Sequence, residues 1–307
     1  MIASLIKKDY HSWIERRRQT VKKWGKILLL VLVVLLLVQL YFLKGTRGEA
    51  LRDDSLKTNI TYQDVPTLLV PGWGGNAWTY SKFIKEAQQE NIAQKMMTIH
   101  VTPLGKVKVK GTVKDKKNAL IQVIFDWNYT SGYNSQTKWL RQVLTVLHDK
   151  YHVDKINIVG HSWGGSAIVH AIAGSKKLQQ EMSFPKVVLL GTPLDESINE
   201  EVSYAKAVKL DSQDENYRVL KEQFKAFSPT TKISFYNVMG SIKGEKTDGS
   251  VPNVQSMVLK ELLDPKWAKY YQVTYNNTDH TALHQSNKVL NTVDQILWSK
   301  QVITLKK

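Results

Sequence analysis

KINIVGHSWGGSAIVHAIAG, residues 155–174, decides the fold. Ile156 to Val159 reads as a short strand buried on both faces, and Ala167, Ile168, Ala171 and Ile172 share one side of a helix that begins a few residues later. Between them Gly160-His161-Ser162-Trp163-Gly164 fits the nucleophile elbow pattern G-x-S-x-G. A serine pushed out on a strained strand-to-helix turn needs neighbours without side chains, and the two glycines supply them. Ser162 would then stand at a helix N-terminus, where backbone N–H groups and the helix dipole favour developing negative charge. Any Gly-rich turn can match the pattern by chance; the flanking strand and helix give it meaning.

Working outward, the 307 residues suffice for one large α/β domain plus additional segments, and an apolar fraction of 42% is ordinary for a globular chain. The absence of cysteine excludes disulfides, zinc thiolates and a lipidated cysteine, and is compatible with an oxidising location. Residues 1–26 form a basic segment, with Lys7, Lys8, Arg16, Arg17, Arg18, Lys22, Lys23 and Lys26 against Asp9 and Glu15. The uncharged run 27–43, almost all Leu, Val and Ile, is long enough to span a bilayer, and Trp24 and Tyr41 suit its interfaces. It lacks the polar face of a buried core helix, and YFLKGTRGEA offers no small-x-small cleavage site, so an uncleaved signal anchor is expected. The cations before the span keep the N-terminus in the cytoplasm and put the rest of the chain outside, at the cell membrane. Residues 44–62, polar and charged, read as a stalk, and 63–307 as the catalytic domain.

The chain resembles the α/β-hydrolase superfamily at the elbow, and within it a group of Gram-positive cell-surface hydrolases akin to lipases and esterases. Three further motifs carry the resemblance. After the strand signal Val65 to Val70 comes Pro71-Gly72-Trp73-Gly74-Gly75-Asn76. The resembled loop reads His-Gly-x-x-x, and the resemblance implies that the Trp73 backbone N–H is one oxyanion donor, with the Trp163 N–H as its partner. Pro71 stands where the family's histidine normally does. Lys186 to Pro193 reads as a strand ending in Gly-Thr-Pro, which the resembled hydrolases also carry. The loop Thr247-Asp248-Gly249-Ser250-Val251-Pro252 resembles their Asp-Gly-x-Val-Pro. Asp248 also fits the order Ser, acid, His of this fold. Two histidines four apart, His280 and His284, are both candidates for the base. The family pattern of His, small residue, x, Leu, His aligns with His280, which is preferred. Zinc would need an acidic residue in an H-E-x-x-H arrangement, so no metal and no cofactor are expected.

Elsewhere, helical spacing predicts helices over Ala77 to Asn91, Gln136 to Lys150 and a C-terminal segment through Val289, Leu290, Val293, Ile296 and Leu297. Residues 194–230 turn charged with patches of helical period and read as a cap insertion. Lys106 to Val113 alternates lysine with apolar residues, the pattern of a solvated edge strand. The N-terminal segment contributes much of the formal net charge of +16, with eight cations against two acidic residues, and no recognition motif accompanies the charge, so nucleic acid is not an expected partner.

The expectation is an α/β-hydrolase fold with a mainly parallel sheet behind a single transmembrane helix. Its function would be cleavage of carboxylic or acyl esters, small-molecule or lipid, by Ser162, Asp248 and His280 through an acyl-enzyme. Two alternatives are an acyltransferase on the same triad and a non-catalytic, membrane-tethered binding module whose lysine face meets anionic envelope polymers.

Overall fold

Leu68 to Val70 and Val187 to Leu190 are apolar at consecutive positions, the pattern of strands covered on both faces, and each of these side chains is buried. A computed structural model of the chain describes residues 2–301 and Leu305. Met1 and residues 302–304, 306 and 307, at the ends of the expected basic segment and catalytic domain, lie outside the described residues. The central sheet comprises β1 (Thr67–Val70), β2 (Gln94–Val101), β3 (Val107–Gly111), β4 (Ala119–Phe125), β5 (Asn157–His161), β6 (Lys186–Leu190), β7 (Ile233–Ser241) and β8 (Ala268–Asn276). Among the described residues it has eight strands in the order β3-β2-β4-β1-β5-β6-β7-β8. Only the β2–β3 pair is antiparallel, so the mainly parallel sheet is observed.

Strand alternation divides the core into two layers. Leu68 and Val70 point to one face, where α3 (Asn134–Tyr151) and α4 (Trp163–Ala173) bury Leu140, Leu144, Ile168 and Ile172. Leu69, Val159 and Val188 point to the other, against Phe83 and Ile84 of α2 (Ala77–Gln89). The remaining helices of this unit are α5 (Lys176–Glu181), α6 (Tyr204–Ala207), α7 (Glu215–Lys225), α8 (Asn253–Met257) and α9 (Asn287–Trp298). Trp298 of α9 stacks on Phe83 at a ring separation of 6.1 Å within the second layer. The lysine-bearing strand β3 lies at the sheet edge, as its alternation predicts.

Residues 1–44 form a separate unit, one continuous helix α1 (Ile2–Leu43). Its portion Glu15–Leu43 has 29 residues, about 43 Å at 1.5 Å per residue, and is apolar enough to cross a bilayer. The basic segment therefore continues the helix of the apolar run and does not precede it as a loop.

The residues expected to be a stalk belong to the folded unit from Gly45 onward. The Thr46 N–H donates to Gln122 Oε1 (2.8 Å), the Glu49 N–H to Gln88 Oε1 (2.8 Å) and the Arg52 N–H to Asn91 Oδ1 (2.9 Å). Asn91 Nδ2 returns bonds to the Arg52 and Ser55 carbonyls, both at 2.9 Å. Side-chain amides on α2, β4 and the loop after α2 thus tie down a segment with few apolar residues, which hydropathy alone cannot reveal. The segment expected to be a cap is similarly fastened: α7 buries Tyr217, Leu220 and Phe224 in the same layer as α4.

A soluble segment beginning at Gly45 is expected to be about 1–3 kcal/mol more stable than one beginning at Ser55, because the shorter chain strands the buried Asn91 and Gln88 amides. Denaturant unfolding checks this; coincident midpoints would show that the docked segment adds nothing.

Candidate active site

The loops after β1, β5, β6, β7 and β8 converge beyond the carboxyl ends of the parallel strands, where open α/β sheets place their crevices. There they enclose a cavity of about 570 Å³ that Ser162, His280, Trp73, Trp163 and His284 all line. Ser162 has φ +54° and ψ −135°, a backbone conformation that non-glycine residues rarely adopt and that costs on the order of 1–3 kcal/mol. It is held there from both sides: its N–H donates to the Leu190 carbonyl at the end of β6 (2.9 Å), and its carbonyl accepts from the Gly165 N–H (2.8 Å). The side chain is thereby aimed away from the sheet and into the cavity.

Asp248, 1% exposed, accepts at Oδ2 from His280 Nδ1 (2.7 Å). Its other oxygen accepts from the Ser250 and Val251 N–H groups at 2.9 and 2.7 Å. The Gly249 and Val251 positions of the Asp-Gly-x-Val-Pro loop thus shape a turn whose amides neutralise a buried carboxylate. The His280 N–H also donates to the Asp248 carbonyl (3.0 Å), so the two loops are joined twice. No direct hydrogen bond links Ser162 Oγ to His280; such bonds are often long before substrate arrives.

His284 is placed differently. Its Nδ1 accepts from Gln285 Nε2 (2.7 Å), Trp78 packs edge-on against its ring at 5.4 Å, and no carboxylate bonds to it. Burial, its largest influence, pushes His284 down to about 4. His161 lies between the two other rings, with centroids 4.5 Å from each, and burial drives it well below the ordinary histidine value. It stays neutral, and its Nε2–H donates to the His280 carbonyl (3.0 Å). Next to the elbow, His170 of α4 is likewise held down to about 4 by burial first, with Arg141 adding and Asp214 opposing.

The loop 71–76 passes directly over Ser162. A β-carbon on Gly72 would stand 2.7 Å from Ser162 Cβ, so only glycine permits this approach. Neither the Trp73 N–H nor the Trp163 N–H donates to another described residue, and Trp163 is the first residue of α4, where helical N–H groups have no internal partner.

Asn128 escapes the sequence reading, and Gly191 is read there only as part of a motif, without a role. Asn128 donates through Nδ2 to the Gly72 and Gly75 carbonyls (2.6 and 2.9 Å), and its carbonyl accepts from the Gly74 N–H (2.8 Å). It fixes the whole Gly-rich loop from a distant loop after β4, and nothing in Trp127-Asn128-Tyr129 announces this. Gly191 has φ +53°, and a β-carbon there would meet Asp248 Oδ2 at 2.7 Å and His280 Nδ1 at 3.1 Å. The glycine of Gly-Thr-Pro leaves room for the carboxylate–imidazole pair. Among the described residues one cluster of metal-type side chains occurs, His148, Asp149 and Glu181, and none of the three lines the cavity.

A parallel sheet carrying a strained serine after its central strand, with an Asp–His pair from two later loops, defines an α/β hydrolase. Residues 55–300 match the family described as alpha/beta hydrolase of unknown function, and the chain belongs to that family. A gene product of Listeria innocua shares its fold at 23% identity and TM-score 0.66, over 78% of this chain and 95% of that one. A candidate cell surface hydrolase of Lactobacillus plantarum does so at 19% identity and TM-score 0.61, over 76% and 91%. No curated protein matches the sequence.

The buried histidines make stability depend on pH. The folded pKa of about 4 at His284 and at His170 lies below the ordinary 6.5, so the unfolded chain binds more protons between those values. Stability present above about pH 6.5 is therefore lost as pH falls towards 4, by on the order of 1–3 kcal/mol per ring. Denaturation midpoints at pH 7 and pH 5 are expected to differ in this sense, and His170→Asn should flatten the slope; equal midpoints would refute it.

Proposed function

We propose that the chain is a membrane-anchored serine hydrolase that cleaves carboxylic esters, with its catalytic domain outside the cytoplasmic membrane. The observation that carries the reading is the strained Ser162 facing the same cavity as an imidazole already oriented by a buried carboxylate. Strain of this kind persists where the surrounding structure over-determines it, as at a nucleophile.

In the mechanism, Ser162 Oγ attacks the acyl carbonyl while His280 Nε2 accepts its proton, and Asp248 fixes the ring so that Nδ1 carries hydrogen. The tetrahedral oxyanion lies between the Trp73 and Trp163 N–H groups, one from the β1 loop and one from the start of α4. His280 then protonates the leaving alcohol, and water repeats the sequence on the acyl-enzyme. His280 is preferred to His284 as base because only His280 has a carboxylate partner. The apolar half of α1 supports membrane anchoring, and its excess of flanking cations supports a cytoplasmic N-terminus. An alcohol acceptor in place of water would use the same groups, and transesterification products in an alcohol-containing assay report it.

With p-nitrophenyl acetate and the full chain in detergent, Ser162→Ala and His280→Ala are expected to lower kcat at least about 10³-fold, and Asp248→Asn about 10⁴-fold. A fluorophosphonate should label Ser162. Full activity in Ser162→Ala would refute the assignment, and loss of activity in a folded His284→Gln with retention in His280→Ala would move the base to His284.

Asn128→Ala, which frees the loop carrying the Trp73 N–H, is expected to reduce kcat about 10- to 100-fold with KM little changed. A change confined to KM would show that the loop binds substrate without stabilising the oxyanion.

A further inference from the structure

Resting on the hydrolase reading, we infer that the substrates are short-chain acyl esters of uncharged carbohydrate and that the wall of the cavity is built for the sugar. Three observations converge.

The first is the wall's composition. Three tryptophans line the cavity, Trp73, Trp78 and Trp163, while Val251 and Pro193 are its only aliphatic residues; no Leu, Ile, Met or Phe lines it. A fatty acyl chain gains its affinity methylene by methylene along a continuous apolar channel, whereas the apolar surface of this cavity comes mainly from tryptophans interspersed with polar groups. Amides and hydroxyls come from Asn76, Thr79, Ser250, Gln255 and Thr281, beside Ser162, the three histidines and Glu196. A pyranose has apolar C–H faces that pack on the electron-rich face of an aromatic ring, and equatorial hydroxyls that need donors and acceptors at its rim. Indoles interspersed with amides and hydroxyls match both demands.

The second is rigidity at the mouth. Trp73 is 55% exposed yet fixed, because its Nε1–H donates to the Thr130 carbonyl (3.0 Å) and its ring meets Tyr129 edge-on at 5.5 Å. Trp127 in turn packs against Tyr129 at 5.3 Å, and both are half exposed. Trp73 of the cavity wall, Tyr129 and Trp127 thus form a chain of half-exposed aromatic contacts leading away from the cavity. Exposed indoles held in place before binding lose little side-chain freedom when a ring stacks on them.

The third is charge. In a chain of net charge +16, no Lys or Arg lines the cavity. Its one acidic wall residue is Glu196, whose Oε1 accepts from Trp163 Nε1 (2.9 Å) beside the nucleophile. A carboxylate there accepts from sugar hydroxyls and repels uronates and phosphates. The lysine-rich β3 that would suit an anionic polymer is on the far edge of the sheet, four places from β5.

In the reaction the Ser162 Oγ–acyl carbon bond forms as the acyl carbon–sugar oxygen bond breaks, and His280 delivers the serine's proton to the sugar oxygen. Water oxygen then bonds to the acyl carbon as the acyl carbon–Ser162 Oγ bond breaks, and the water's proton passes through His280 to Oγ, leaving a free sugar hydroxyl, a short carboxylic acid and the regenerated serine.

The test compares kcat/KM of the full chain in detergent for acetylated xylo-oligosaccharides, acetylated oligogalacturonate and the p-nitrophenyl esters of acetate, butyrate and octanoate. The xylo-oligosaccharide acetate is expected to be at least about tenfold better than the octanoate, with no gain from acetate to octanoate. Trp127→Ala should lower the ratio of xylo-oligosaccharide acetate to p-nitrophenyl acetate about tenfold, and Trp127→Phe should restore it. Glu196→Gln should raise acetylated oligogalacturonate relative to the neutral glycan about fivefold or more. A gain of about fourfold per methylene along the p-nitrophenyl series, with the glycan ester no better, would indicate lipid esters and overturn the inference while the hydrolase reading stands. No turnover of any ester together with no fluorophosphonate labelling of Ser162 would remove both.

Discussion

Everything at the site depends on one backbone conformation, that of Ser162. A left-handed φ on a residue with a side chain is held only if both neighbours are fixed, and here the bond from its N–H to β6 and the turn into α4 do so. The central position of β5 follows from the same requirement. Flanked by β1 and β6, it receives one loop from each side, which brings Pro71 to Asn76 over the serine on one flank and Gly191 to Glu196 beside it on the other.

The second constraint is the burial of ionisable groups. Asp248 is almost completely enclosed, and a carboxylate so placed must be fully hydrogen-bonded to remain charged. Two backbone amides and one imidazole meet that need. Around it the protein keeps His161 and His284 neutral, so that three neighbouring rings do not repel one another. His161 donates its proton to the His280 carbonyl and thereby braces the loop that carries His280.

The two units of the chain divide the work physically. One is a single helix suited by length and apolarity to a bilayer, the other a sheet domain whose first ordered residues follow directly at Gly45. Thr46, Glu49 and Arg52 are hydrogen-bonded to side-chain amides of the sheet domain and so belong to its fold.

How much of this was legible in the sequence varied with the range of the interactions. The elbow, the alternating strand–helix pattern, the apolar N-terminal run and the lysine edge strand are local patterns of period and spacing, and the residues themselves determine them. Ser162, Asp248 and His280 were singled out by motif and chain order, and the structure adds that a carboxylate meets His280 while an amide meets His284. The roles of Asn128, Gly191 and the docked 45–55 segment were decided by tertiary structure alone. Each acts across tens of residues through a hydrogen bond or an excluded volume, and such partners are set by how the strands stack and not by any pattern along the chain.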